Sequence, residues 1–439
     1  MNLINNRNIL LAPNSFKGSL DAFEFCRILA SELEECGFHT LSLPLGDGGD
    51  GTARIVAHYL HAYPIKTKTV DALGREHFAS YYLKDSTAII ELAEACGLKH
   101  LKREEYDILN TNTAGFGVLI NHALSQGATN LILCVGGSAS VDGGTGALQE
   151  MGLIIVNDSL NRNYITDIKD INIELLQKRF KGIHITILCD VDNTICGPEG
   201  AAAVFAPQKG ASLEQVVMLD NQLCLWSILL KQNTGKDVTR LKHGGAAGGI
   251  TAAMHALLNA QLVSGSEYCL TLSHFHDNLL QAGIVITGEG KIDSQSFHGK
   301  IPGTVANLCQ QQNVPVYAVV GLTEKQVKEK REKYGYNELK ATKKKSIIQR
   351  FLDQFKDFSI IVLIIAAIVS GIVGVSQGEG FTDTIIILIV VIVNAIIGVA
   401  QESKAEKSLE ALQKLSDHAA KVIREGNIKV IPAKELVPG

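Results

Sequence analysis

The chain has 439 residues, of which 46% are apolar and 20% charged, with a formal net charge of -4. That length holds two to three domains at about 150 residues each, and a mean hydropathy of +0.14 excludes a disordered chain, a collagen-like repeat and a disulfide miniprotein. The mild acidity gives no electrostatic case for nucleic acid as a partner.

The distribution along the chain is uneven. Residues 1–321 hold 23 Lys+Arg against 31 Asp+Glu, a net of -8, whereas residues 322–439 hold 18 against 14, a net of +4. Glycine divides 33 to 8, and all nine cysteines precede residue 322. No pair is spaced C-x-x-C and no apolar leader precedes them, so the sequence predicts reduced, mostly buried thiols in a cytosolic setting.

In residues 1–321, short apolar runs alternate with amphipathic stretches. Asn8–Leu11 reads as a buried strand and Ala22–Cys36 as a helix. Asn130–Val135, Ile183–Cys189, Gly283–Thr287 and Val314–Val320 repeat the strand pattern, each running into glycine or a polar residue. Strand, polar loop, helix is the signature of a parallel α/β sheet. Ligands of such sheets bind at the carboxyl ends of strands.

Five of those ends carry chemistry. Ser15, Lys17 and Gly18 after the first strand suit an anion, or Ser19 caps the helix and Lys17 is solvated. Gly46–Thr52 places Asp47 and Asp50 in a backbone free to adopt positive φ, fit to hold Mg²⁺ or to accept a hydroxyl proton; a tight turn with an Asx cap is the alternative. Gly136, Gly137, Ser138, Asp142, Gly143 and Gly144 lie in a glycine-rich turn whose amides and following helix can converge on phosphate, or which serves packing alone. It is neither a Walker A loop nor a dinucleotide fingerprint. Asp190, Asp192 and Asn193 end a fourth strand, and Glu289, Lys291 and Asp293 a fifth. Acidic loops, one anion cradle and a few lysines suit phosphoryl transfer, which needs positioning and charge neutralisation rather than a covalent nucleophile.

Taken in order, A-P-N-S-F-K-G-S-L at 12–20, G-D-G-G-D-G-T at 46–52, E-L-A-E-A-C-G-L at 91–98, G-G-S-A-S-V-D-G-G-T-G at 136–146, C-D-V-D-N at 189–193, A-P-Q-K-G-A at 206–211, G-G-A-A-G-G at 244–249 and I-T-G-E-G-K-I-D-S-Q-S-F-H-G-K-I-P at 286–302 resemble the bacterial glycerate kinases. The resemblance covers residues 8–321. It implies a flavodoxin-like lobe (about 1–65 with 285–321) and an inserted restriction-enzyme-like lobe (about 66–284). It also implies ATP- and Mg²⁺-dependent phosphorylation of D-glycerate, with the 2-position favoured. Lys17 and the 136–146 loop would hold phosphates, Asp47 or Asp190 would accept the hydroxyl proton, and Asp190, Glu289 and Asp293 would hold Mg²⁺. Two departures stand out: Asn14 occupies a position where the family has Asp, and the family's tail beyond the strand at 314–321 is not matched.

The chain then changes character. A charged helical stretch spans 322–357. Phe358–Val375 and Thr384–Ala400 carry no charge and have the length of membrane spans. Their basic flanks predict a multi-pass membrane protein with the kinase portion and both ends in the cytoplasm, and a wholly cytoplasmic chain if the hairpin is not inserted. Together with Q-E-S-K-A-E-K-S-L-E-A-L at 401–412 and E-L-V-P-G at 435–439, this region resembles the start of a P-type calcium-transporting ATPase: an N-terminal helical segment, two spans as a lipid-bilayer partner through 358–400, and over 401–439 a stalk helix and the start of a small β actuator region. The pump's phosphorylation loop is absent from the sequence, so transport is not expected. A tethered kinase and a non-native fusion with neither activity are the two readings that remain.

Overall fold

The structure is a computed structural model that describes residues 8–16, 20–157, 161–189, 191–290, 300–320, 324–334, 361–369, 385–395, 399, 419–424, 427–432 and 435. It divides into two compact units, Met1–Leu322 and Thr323–Gly439.

In the first unit, β1 (Asn8–Pro13), β2 (His39–Ser42), β11 (Ile284–Glu289) and β12 (Val316–Val320) form a parallel four-stranded sheet in the order β12-β11-β1-β2. Leu10 is in register with both Val285 and Leu41. As an inner strand of a parallel sheet, β1 is buried on both faces from Ile9 onward, which is why it reads as a continuous apolar run. The helix that follows, Ala22–Glu35, is capped by Asp21, whose Oδ1 accepts from the Glu24 N–H at 2.8 Å; the cap is therefore not Ser19.

The second sheet takes β3 (Tyr63–Val70), β4 (Glu76–Lys84), β5 (Thr87–Glu91), β6 (Asn130–Cys134), β9 (His184–Leu188) and β10 (Gln261–Val263), in the order β10-β9-β6-β5-β4-β3. A separate antiparallel pair, β7 (Ile154–Asn157) and β8 (Ile168–Asn172), lies between β6 and β9 in the sequence. The six-stranded sheet corrects the all-parallel expectation: β3 pairs antiparallel with β4, and β4 with β5. The cause is the short turn after β3, where Asp71 Oδ1 accepts from the Leu73 and Arg75 N–H groups and Gly74 takes φ 82°. So short a connection returns the chain antiparallel and leaves no room for a crossover helix.

Two cores result. One lies between the six-stranded sheet and the helices around Phe116 and Trp226. The other is shared by both sheets: Leu10 and Val285 from the first and Ile89, Ile132 and Leu188 from the second join around Ala53 and Val56 of the helix Thr52–Leu60. This shared core fixes the two sets of carboxyl strand ends against each other. The thiol expectation is corrected in part. Cys196 and Cys224 form a disulfide, six of the other seven cysteines are buried thiols, and Cys36 is exposed.

The second unit contains the helix Glu324–Tyr334, helical stretches over 361–369 and 385–395, and an antiparallel hairpin of β13 (Ala419–Arg424) and β14 (Asn427–Pro432). Among the described residues no helix is long and apolar enough to cross a membrane, so the two-span hairpin is without structural support.

Candidate active site

The loop Gly46–Thr52 follows β2 and crosses from the first sheet to the carboxyl ends of the second. Gly48 takes φ 89°, and a Cβ there would stand 2.5 Å from the Leu188 carbonyl oxygen at the end of β9. Gly136, just past β6, donates its N–H to the Gly48 oxygen at 3.0 Å; a Cβ on it would lie 2.4 Å from the Gly49 Cα. These contacts demand glycine on both sides of the seam.

The loop's two aspartates differ in partners. Asp47 is half-buried and accepts from Asn14 Nδ2 at 3.2 Å and from the Gly49 N–H at 3.0 Å. Asn14 is buried at the end of β1 and its Oδ1 accepts from the Ser15 N–H. The amide that the resemblance marks as a departure therefore orients Asp47 by donating to it, where a carboxylate would repel it. Asp50 faces a second set of acids. Glu91, at the end of β5, accepts from the Gly51 N–H at 3.0 Å and the Ala53 N–H at 3.1 Å, tying the second sheet to the first turn of the helix Thr52–Leu60. Burial pushes the Glu91 carboxyl up to about 8, against the pull of the Gly51 N–H, and nearby Asp50 adds to the rise. Lys99 Nζ lies 2.8 Å from Asp50, 2.6 Å from Glu94 and 3.9 Å from Glu91. Burial works against its charge, but Asp50 and Glu94 outweigh that and raise its pKa.

Asp50, Glu91, Glu94 and Lys99 line a cavity of about 560 Å³, together with Ser15, Arg54 and Tyr82. Asp50, Glu91 and Glu94 each offer a carboxylate oxygen within 4.8 Å of the others. Sequence reading missed Arg54, Glu91, Glu94 and Lys99 as site residues, although 91–98 was among the matching motifs. The signal was present: an apolar strand ending in Glu at a parallel-sheet carboxyl edge.

The glycine-rich turn after β6 is built differently. Asp142 is fully buried and accepts from Thr113 N (2.9 Å), Thr113 Oγ1 (2.7 Å), Ser140 Oγ (3.1 Å), Gly144 N (3.3 Å) and Gly146 N (3.2 Å). Gly143 receives the Trp226 indole N–H on its carbonyl, and a Cβ on Gly144 would strike Ile250. These three are internal supports. Gly136, Gly137 and Ser138 form the part nearer Asp50, where a Cβ on Gly137 would lie 3.9 Å from the Asp50 Cβ. Beyond β9, Asp192 is exposed and paired with Lys242 at 3.3 Å, and Asn193 Nδ2 donates to the Glu199 carbonyl. Glu289 is buried at the end of β11. Lys17, Asp190, Lys291 and Asp293 lie outside the described residues.

Two α/β sheets that point their carboxyl ends at one acidic seam, flanked by a glycine turn, define a phosphotransferase site rather than a dinucleotide dehydrogenase. The glycerate kinase family model matches residues 9–356. The chain is 37% identical to glycerate 2-kinase of Escherichia coli K12 over 322 residues, covering 71% of this chain and 84% of that one. It is 35% identical to glycerate kinase of Halalkalibacterium halodurans over 71% of this chain and 85% of that one. A solved Salmonella typhimurium LT2 structure, provisionally assigned as glycerate kinase 2, superposes with a TM-score of 0.61 at 37% identity, covering 72% of this chain and 87% of that one. The chain belongs to the glycerate kinase family. It is a kinase phosphotransferase, and these relatives favour a working kinase over a fusion with neither activity. The family match also passes Gly321 and claims 322–356, which the motif reading assigned to the pump-like part.

Proposed function

We propose that the chain transfers the γ-phosphoryl group of ATP to the 2-hydroxyl of D-glycerate at the Gly46–Thr52 seam. The observation that carries this is the convergence of Asp50, Glu91, Glu94 and Lys99 on one cavity at the carboxyl ends of the strands, on the same loop in which Asn14 holds Asp47. The 2-position follows the name of the Escherichia coli relative.

Asp47, aimed by Asn14 and with no ammonium partner among the described residues, accepts the proton of the attacking hydroxyl; Asp190 is the second candidate. Gly136, Gly137 and Ser138, with Ser15 and Lys17, cradle phosphates through backbone N–H groups and one ammonium. Arg54 and Lys99 supply positive charge toward the glycerate carboxylate. A divalent ion fits this donor set if it takes the place of the Lys99 ammonium: Asp50, Glu91 and Glu94 are hard oxygen ligands at mutual reach, and Glu289, Asp190 and Asp293 are the further ligands that the resemblance implies. When bound, Mg²⁺ neutralises phosphate charge during transfer. The test is a coupled assay of ADP release with D-glycerate, followed by separation of 2- and 3-phosphoglycerate. A product phosphorylated only at the 3-position sinks the regiochemical assignment, and no ADP release sinks the whole reading.

We further propose that residues 358–400 lie in a bilayer. In the second unit, Val391 and Ala395 pack against Leu363 and Ile364, while Ile365, Ile368, Ile389 and Ile392 remain about half exposed. Water-facing apolar surface on both partners of a helix pair is what lipid would cover. The pump-like reading of 401–439 rests on its motifs alone. Alkaline carbonate extraction of cells expressing the full chain should leave it in the membrane pellet; full release into the supernatant removes the bilayer as a partner.

A further inference from the structure

Lys209 lies in the A-P-Q-K-G-A motif, far in sequence from every residue given a role above. It is only 4% exposed. Its Nζ donates to Ser138 Oγ at 2.8 Å and to the Ser140 carbonyl at 2.6 Å. Among the described residues no carboxylate touches it. Asp142, the nearest, is reached only through Ser140, whose Oγ donates to Asp142, and that carboxylate is already shared among five donors. A buried ammonium held by neutral acceptors costs stability that a Met or Gln of similar size would not.

The contacts show what the ammonium holds. Ser138 and Ser140 belong to the turn after β6, and the other side of that turn faces the seam. Gly136 N–H donates to Gly48, the Gly137 carbonyl accepts from Leu98 N–H at 3.0 Å, and Ala139 N–H donates to the Cys96 carbonyl at 2.9 Å. Gly137 takes φ 76°, left-handed backbone that glycine adopts without strain.

We propose that Lys209 is a positioning residue for phosphoryl transfer: its ammonium, acting through Ser138 and Ser140, locks the Gly136–Ser140 turn in the shape that receives the nucleotide's phosphates. This rests on the reading of that turn as the phosphate cradle. Burial pushes Lys209 down to about 7, and only Asp142 pulls the other way. The titratable neighbours are Asp142, Cys96 and Tyr106, which packs on Gly210. The lock therefore loosens on the alkaline side, as the ammonium loses its proton.

The test uses the full chain with Lys209→Met, Lys209→Arg, Ser138→Ala and, as a control on the cradle itself, Gly137→Val. Folding is checked by circular dichroism, and kcat and KM for ATP are measured across pH. K209M should lose about 10²-fold in kcat/KM for ATP, with KM for glycerate unchanged. K209R should restore part of that loss and move the alkaline fall of the profile to higher pH, which a purely structural lysine would not do. Loss of nucleotide affinity in G137V with unchanged kinetics in K209M overturns the role of Lys209 while the cradle stands. Unchanged ATP kinetics in both removes the cradle, and the proposal with it. If K209M does not fold, the K209R profile decides: an alkaline limb identical to wild type overturns the proposal. If neither folds, S138A decides, and an unchanged KM for ATP overturns it.

Discussion

Two loops of this protein look alike as sequence and behave oppositely as structure. Gly46–Thr52 and Gly136–Gly146 both follow strands and both string glycines around aspartate. In the first, Asp47 keeps one amide and one backbone partner and is only half-buried. In the second, Asp142 is closed off and saturated by five donors. A carboxylate with unspent acceptor capacity can meet a substrate, whereas one that has spent it all holds backbone. The motif is the same, and solvation and hydrogen-bond satisfaction separate site from scaffold.

The sharpest way to break this contrast is to neutralise each aspartate in turn. Asp47→Asn should lower kcat by about 10²–10⁴-fold, the scale of general-base catalysis, with an unaltered denaturation midpoint. Asp142→Ala should do the reverse. Stranding its buried donors costs about 3 kcal/mol or more, read as a fall in the urea midpoint, while kcat per folded molecule stays near wild type. If D142A folds stably and loses kcat, the two loops have been assigned the wrong way round.

Much of the frame was legible in the sequence. The strands at 8–13, 130–134, 184–188 and 284–289 announce themselves as short apolar runs followed by glycine or polar residues, because buried parallel strands need apolar side chains on both faces. The hairpin β3–β4 was not legible as part of the sheet, since Lys66, Lys68 and Glu76 lie on a partly solvated strand pair whose alternation is masked by charge. Within the site, Asp47 and Asp50 could be proposed from a loop's composition. The role of Glu91 could not, because it depends on a contact across 38 residues to Ala53 N–H that only the shared core creates. Lys209 was hidden for the same reason: 71 residues separate it from Ser138.

The seam itself can be probed by steric pressure. Gly136→Ala places a Cβ 2.4 Å from the Gly49 Cα, so either the turn or the Gly46–Thr52 loop must move. Overpacking of this kind costs about 1–3 kcal/mol. Because the displaced loop carries Asp47 and Asp50, kcat should fall together with stability, unlike in D142A. A variant that loses stability alone would show that the seam is not where catalysis is organised.

The most gradual effect, spread over several pH units, belongs to Glu91, which ties the second sheet to the first loop. Its folded carboxyl sits at about 8, raised by burial, whereas an unfolded Glu titrates near about 4.3. Between those values the folded state holds a proton that the unfolded state has released. The stability this contributes is fully present below the unfolded value and is lost as pH rises through the folded one, at no more than about 1.4 kcal/mol per pH unit. Glu91→Gln keeps an oxygen to accept from Gly51 and Ala53 and carries no charge, so its unfolding free energy should be flatter from about pH 5 to 8. Wild-type and E91Q curves that run parallel over that range would mean Glu91 is already ionised when folded. Lys99 rather than a proton would then neutralise the carboxylate that ties the second sheet to the first loop.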